Sequence, residues 1–158
     1  MAMSIGKMNI PMESRIKIKD LEPNAYQAMY GIEKYLSTTS ISITYKSLIK
    51  IRASQINGCA FCIQMHTREA RLQGETEQRI YALSAWKETP YFTPEERVIL
   101  ALTEEVTLIA KNGVSDAVYK EVEKYFDGNY IAQLIMTIVS INGWNRMAVA
   151  TRLAPEHI

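Results

Sequence analysis

Cysteine is scarce in this sequence, with only Cys59 and Cys62 among 158 residues. A secreted disulfide scaffold needs more cysteines at wider spacing, so that class is excluded. Long apolar runs are also missing. No stretch reaches the roughly 18 consecutive apolar residues of a transmembrane helix. The N-terminal MAMSIGKMNIPMESRIKIKD has neither a compact apolar core nor a small-residue cleavage site, and does not read as a signal peptide. Charge of one sign is absent as well: the formal net charge is +1 and no segment carries a long run of either sign. Nucleic acid and anionic membrane surfaces are therefore not expected partners, and the expected location is cytoplasmic. With no Gly/Ser linker and no low-complexity tract, residues 1–158 read as one domain. Its 47% apolar and 22% charged residues can bury a real core.

What is present is helix punctuation. Pro23 suits the first turn of a helix running to about Leu36. Ile41 to Gln55 carries apolar residues at roughly helical spacing until Asn57-Gly58 breaks it. A third helix is expected from about Cys59 to Leu72, closed by Gly74. A fourth begins near Glu75 and Glu77 and carries Ile80, Leu83 and Trp86. Thr93-Pro94-Glu95-Glu96 has the form of a capping box with proline at the first helical position. The apolar helix behind it spans Val98 to Ile109 and ends at Asn112-Gly113. Ser115-Asp116 starts another helix, Asp127-Gly128 stops it, and Ile131 to Trp144 forms the last. Period-two alternation is lacking, so the fold class is all-α, a helical bundle. One short echo links Ser54-Gln55-Ile56-Asn57-Gly58 with Ser140-Ile141-Asn142-Gly143, one residue out of phase.

The chemistry concentrates in Asn57-Gly58-Cys59-Ala60-Phe61-Cys62-Ile63-Gln64-Met65-His66. The Asn-Gly turn puts Cys59 at a helix start, where unpaired amides and the positive end of the dipole favour thiolate. Cys62 follows one turn later, within disulfide reach. His66, four residues beyond Cys62, shares its helix face and can take its proton. A dithiol redox centre is the leading reading. A zinc site needs a fourth ligand, and the remaining histidine, His157, sits next to last on a tail expected to be mobile. Two buried cysteines beside a satisfied histidine are the third alternative. The eight methionines, nine tyrosines and both tryptophans, Trp86 and Trp144, read as core, surface or interface residues. The charges of Arg68 to Arg79 read as a solvated face.

The stretch from Leu48 to Thr67, LIKIRASQINGCAFCIQMHT, closely resembles the core of AhpD-like alkylhydroperoxidases of the carboxymuconolactone decarboxylase superfamily. The likeness continues through Ala85-Trp86, Phe92 to Arg97 and Thr103 to Thr107, and ends in Ile141 to Arg146, covering most of residues 20–150. The resemblance implies an AhpD-like helical bundle assembled into homo-oligomers, trimers or hexamers, without metal or other cofactor. It implies reduction of hydroperoxides, with Cys62 peroxidatic, Cys59 resolving and His66 in the proton relay. An external dithiol of lipoyl or thioredoxin type would reset the pair. Two positions depart from the family pattern. The relay glutamate expected twelve residues before the first cysteine is Ser47, and the histidine expected before the second is Phe61. A serine cannot hold the charge of a base near neutral pH. Glu104, in an otherwise apolar helix, is a candidate substitute or a solvated residue. The expectation is therefore a thiol peroxidase. Its rivals are a disulfide oxidoreductase or redox sensor with little peroxide turnover, and a catalytically silent oligomeric scaffold.

Overall fold

The computed structural model describes residues 13–156, so His157 and the first twelve residues lie outside the described part. Every regular element in it is helical, and no described helix is long and apolar enough to cross a membrane. The order is α1 (Ile18–Leu21), α2 (Pro23–Ser37), α3 (Ile43–Asn57), α4 (Ala60–Leu72) and α5 (Glu77–Ala82). A 3-10 segment (Leu83–Glu88) follows, then α6 (Pro94–Thr107), α7 (Ile109–Asn112), α8 (Asp116–Glu123) and α9 (Gly128–Thr151).

Helix α3 is the axis of the bundle and packs against α4, α6 and α9. Its apolar residues are spread around the helix rather than along one stripe, which is the pattern of a buried helix. Ile49 and Ala53 enter a cluster with Ile99, Leu102, Leu134, Ile138 and Ile141. Leu48 and Ile51 enter a second with Ala70, Leu83, Trp86 and Leu100. One helix thus serves two cores. At the other side α2 packs against α9, with the flexible tip of Met29 resting over Gly143. Tyr26 and Tyr30 of α2 pack edge-on against Trp144, with ring centroids 5.3 and 5.4 Å away.

The capping signals act as the sequence suggests. Pro23 opens α2. Thr93 and Glu96 form the reciprocal capping box, with Thr93 N–H donating to Glu96 at 2.8 Å. Other helix boundaries moved. Asp127-Gly128 starts a helix instead of stopping one: the Asp127 carboxylate accepts from Tyr130 N at 2.8 Å, so it caps α9, while α8 already ends at Glu123. The last helix then runs 24 residues, well beyond Ile131–Trp144 at both ends. The expected fourth helix is split at Ala85, which leaves helical geometry (φ −119°, ψ 30°). The cause is tertiary. Arg97 takes the carbonyls of Trp86, Lys87 and Thr89, each at 3.1 Å, and the Trp86 indole reaches across to Glu104 at 2.8 Å. The helix expected over Val98–Ile109 ends at Thr107, where Leu108 breaks the helical geometry. Nor is Arg68 to Arg79 a uniformly solvated face. Arg79 is partly buried between Glu96 and Glu75, and its guanidinium lies over the Phe92 ring at 4.8 Å.

Candidate functional site

The site begins with the turn that ends α3. Gly58 adopts φ +65°, a left-handed conformation that glycine takes without steric cost. The next amide, Cys59 N–H, then reaches back to Ser54 O at 3.0 Å, closing the helix in a Schellman-type end. The chain reverses there, and Cys59 becomes the N-cap of α4. Its sulfur accepts from the backbone N–H of Cys62 at 3.3 Å. This is the capping geometry usually supplied by serine or aspartate, and once the disulfide is reduced a helix start favours negative charge on Cys59 Sγ.

Cys59 and Cys62 are joined in a disulfide, with Cα atoms 5.3 Å apart. Both are only 2% exposed, and they pack with Ala148 of α9 under partly buried Phe61. The side chain standing where the resemblance expects histidine therefore forms an apolar cover. Cys62, His66 and Ala70 are the buried residues of α4, spaced four apart along one face. Sequence spacing and structure agree on that alignment.

His66 is buried, and its Nδ1 lies 2.9 Å from Glu69 Oε2. A carboxylate partner places the proton of a neutral ring on Nδ1 and leaves the lone pair on Nε2. Burial pushes the His66 pKa below its ordinary value of 6.5, and hydrogen bonding to Glu69 opposes this only in part. The ring is thus held in the neutral state that accepts a proton.

The two relay candidates lie elsewhere. Ser47 Oγ donates to Gln73 Oε1 at 3.1 Å, beside a surface cavity of about 270 Å³ that Ala70 and Arg79 also line; neither cysteine nor His66 lines it. Glu104 is neither solvated nor bonded to the motif. Its carboxylate accepts from Arg52 at 2.8 Å, the Trp86 indole at 2.8 Å and Lys87 at 2.9 Å. Burial works to raise its pKa, but these donors prevail and hold it low. It ties α6 to α3 and the 3-10 segment.

Three features escaped the sequence reading. Glu69, three residues after His66, lies in the segment whose charges read as a solvated face, yet it bonds the His66 ring; its spacing is the available signal. Glu33 of α2 and Lys50 of α3 form an ion pair at 2.9 Å. No local pattern joins residues 33 and 50. The third is the meaning of the short echo. Asn57 and Asn142 occupy matching positions in the two segments, and they touch. Asn57 Nδ2 donates to Asn142 Oδ1 at 3.0 Å and to Asn145 Oδ1 at 2.9 Å, while Asn145 Nδ2 donates to Ser54 at 2.9 Å. This amide network fastens the turn before Cys59 to α9. Among the described residues no group of three or more His, Cys, Asp or Glu could hold a metal ion.

Comparison with known proteins places this arrangement. The sequence profile of the Carboxymuconolactone decarboxylase family matches residues 23–105. The chain is 45% identical over 139 residues to the uncharacterized protein YdfG of Bacillus subtilis (strain 168), spanning 88% of this chain and 95% of that one. It superposes with a TM-score of 0.90 on ATU0492 of Agrobacterium tumefaciens, a protein of unknown function and candidate antioxidant defence protein AhpD. That match has 36% identity and covers 92% of this chain and all of the other. The debrominase Bmp8 shares the fold at a TM-score of 0.77 and 17% identity, over 87% of this chain and 74% of its own.

Proposed function

The chain belongs to the carboxymuconolactone decarboxylase family as an AhpD-like member, and from that premise we propose that it is a thiol-dependent peroxidase. The observation that carries the reading is the buried Cys59–Cys62 disulfide with His66 one helical turn beyond Cys62 on the same face. In the reduced protein the neutral His66 takes the Cys62 proton. The thiolate attacks one peroxide oxygen, the O–O bond breaks, and the alcohol leaves with a proton. Cys62 is now a sulfenic acid. The Cys59 sulfur displaces its hydroxyl as water and closes the disulfide. An external dithiol of lipoyl or thioredoxin type then exchanges with that disulfide and is itself oxidised. Phe61 gives the sulfur pair an apolar cover, which suits an organic hydroperoxide.

The proposal includes a reducing, cytoplasmic setting and a homo-oligomer, a trimer or hexamer. Met136, Val139 and Val149 of α9 expose apolar surface that such an assembly would cover. Light scattering at micromolar concentration should give the mass of a trimer or hexamer; a monomer would remove this part of the proposal.

A second reading, a disulfide oxidoreductase with little peroxide turnover, is favoured by one observation: Ser47 is turned to Gln73 and offers His66 no carboxylate. One assay separates the two. Reduced protein is mixed with cumene hydroperoxide and dihydrolipoamide, and loss of both is followed. Sustained turnover that disappears in Cys62→Ser supports the peroxidase. Rapid exchange of the disulfide with the dithiol, without peroxide loss, supports the oxidoreductase.

A further inference from the structure

Helix α9 meets the redox pair at two points. Ala148 packs with Cys59 and Cys62. Asn145, three residues earlier and so on the same helix face, holds the turn that carries Cys59. Its Nδ2 donates to Ser54 Oγ at 2.9 Å, and its Oδ1 accepts from Asn57 Nδ2 at 2.9 Å. Ser54 is bonded to Cys59 itself: the Cys59 N–H donates to the Ser54 carbonyl at 3.0 Å, while the Ser54 hydroxyl donates to Lys50 O at 2.6 Å. Asn57 also donates to Asn142 Oδ1 at 3.0 Å, and Asn142 Nδ2 donates onward to Thr107 Oγ1 at 3.0 Å and Ile138 O at 2.9 Å. Asn145 and Ser54 are fully buried, and among the described residues no buried side-chain polar atom lacks a partner. A buried network satisfied throughout is stiff. Displacing the Cys59 turn would break bonds made by two side chains closed to water.

We infer that Asn145 is a positioning residue for the Cys59–Cys62 pair: α9 holds the Cys59 turn through Asn145 and packs Ala148 against the cysteines, and so favours the closed disulfide over the separated thiols. Two non-bonded sulfurs need more room than a bonded pair. To part, these buried sulfurs must press on Ala148 or draw the Cys59 turn away from Asn145. Either move loses contacts that the disulfide form keeps. The same restraint holds Cys59 close to Cys62, so closure joins groups already in place. In that step the Cys59 sulfur attacks the Cys62 sulfenic acid, the S–O bond breaks, and the hydroxyl leaves as water with the Cys59 proton. The inference rests on the dithiol cycle of the peroxidase reading, though its test needs no peroxide. A network that only stabilised the fold would strengthen the oxidised and reduced proteins alike, and would leave the balance between them unmoved.

The test equilibrates the full-length protein at pH 7 with mixtures of reduced and oxidised dithiothreitol, and reads the reduced fraction by thiol alkylation and mass spectrometry. In this exchange the reagent gives two electrons and two protons to the cysteine pair and closes to its own cyclic disulfide. Asn145→Ala should move the equilibrium about tenfold toward the dithiol, or about 30 mV for a two-electron couple. Ser54→Ala removes one bond of the network and should move it the same way by less. Thr137→Val is the control. It deletes a buried hydroxyl of α9 that bonds only Gln133 O, so it weakens the helix without touching the turn and should leave the equilibrium in place. A shift below about twofold in Asn145→Ala, a shift toward the disulfide, or an equal shift in Thr137→Val overturns the inference. Should Asn145→Ala fail to fold, Ser54→Ala decides alone by the same criteria. Peroxide turnover is measured separately on the parent protein. The expected shift without turnover would retain the role of Asn145 and sink the peroxidase reading; turnover without the shift would do the reverse.

Discussion

Two neighbouring effects compete over which sulfur meets peroxide first. Cys59 occupies the helix cap, and a helix terminus stabilises a negative group by about 0.3–1 kcal/mol, or up to ~2 kcal/mol when partly buried. Cys62 has His66 one turn away, and a positioned base contributes roughly 10²–10⁴-fold, or about 3–5 kcal/mol of barrier. The base outweighs the dipole. We predict that Cys59→Ser treated with one equivalent of peroxide holds a sulfenic acid on Cys62, read by trapping and mass spectrometry. Cys62→Ser should leave Cys59 mostly reduced, and His66→Ala should slow the Cys62 step. Fast oxidation of Cys59 in Cys62→Ser would reverse the roles. Glu69 bears on the same chemistry, since it fixes the His66 tautomer. Removing the partner that orients a metal-ligating histidine costs about 10–100-fold, and that range is the guide for the orienting role of Glu69. Glu69 is half exposed, so the lower end is expected. Glu69→Gln should reduce peroxide turnover about tenfold, while Ser47→Glu should raise it by less than that, because Nδ1 already has its carboxylate. A larger gain from Ser47→Glu than loss from Glu69→Gln would show that Ser47 marks the missing relay position.

At the scale of elements, the α3–α4 hairpin owes its placement to α9. Asn145 is fully buried and bridges Ser54 and Asn57, the two residues that close the turn before Cys59. Truncating it takes away partners for buried polar atoms, a loss of about 1–3 kcal/mol. Asn145→Ala should therefore lower the urea midpoint by that equivalent at unchanged slope. A change under about 0.5 kcal/mol, the range of ordinary surface substitutions, would mean the network does not hold the turn. The Thr93 cap was plain in four consecutive residues, because a capping box is a local arrangement. Asn145 gave no local sign, since its partners lie 88 and 91 residues away along the chain.

For the whole molecule, acid stability follows from groups the fold has shifted. His66 titrates below 6.5 in the folded protein because burial disfavours its charged form. The unfolded chain therefore binds its proton first, and stability is lost as pH falls from about 6.5 through the folded value. Glu33 and Glu104 act in a lower window. Burial works to raise both, but their donors prevail and lower them, so their stabilisation is lost as pH falls below the ordinary carboxylate range. Urea titrations at stepped pH should show a first decline near pH 6, which His66→Gln removes, and a second below about pH 4.5, which it leaves. A first decline that survives His66→Gln would assign it elsewhere.

The sequence by itself determined the helical class, the caps at Pro23, Thr93 and Ser115, and the alignment of Cys59, Cys62 and His66. Each of these depends on residues within about one helical turn, where backbone geometry alone decides which side chains meet. Tertiary structure decided the rest. It drew Asp127 into capping a 24-residue helix, split the fourth helix so that Trp86 could reach Glu104, and set Ser47 against Gln73. It also paired Glu33 with Lys50 and turned a four-residue echo into an Asn57–Asn142 contact. The physical reason is that a buried polar group must find a partner wherever packing places it. That partner is chosen by the arrangement of whole helices, which no local pattern encodes.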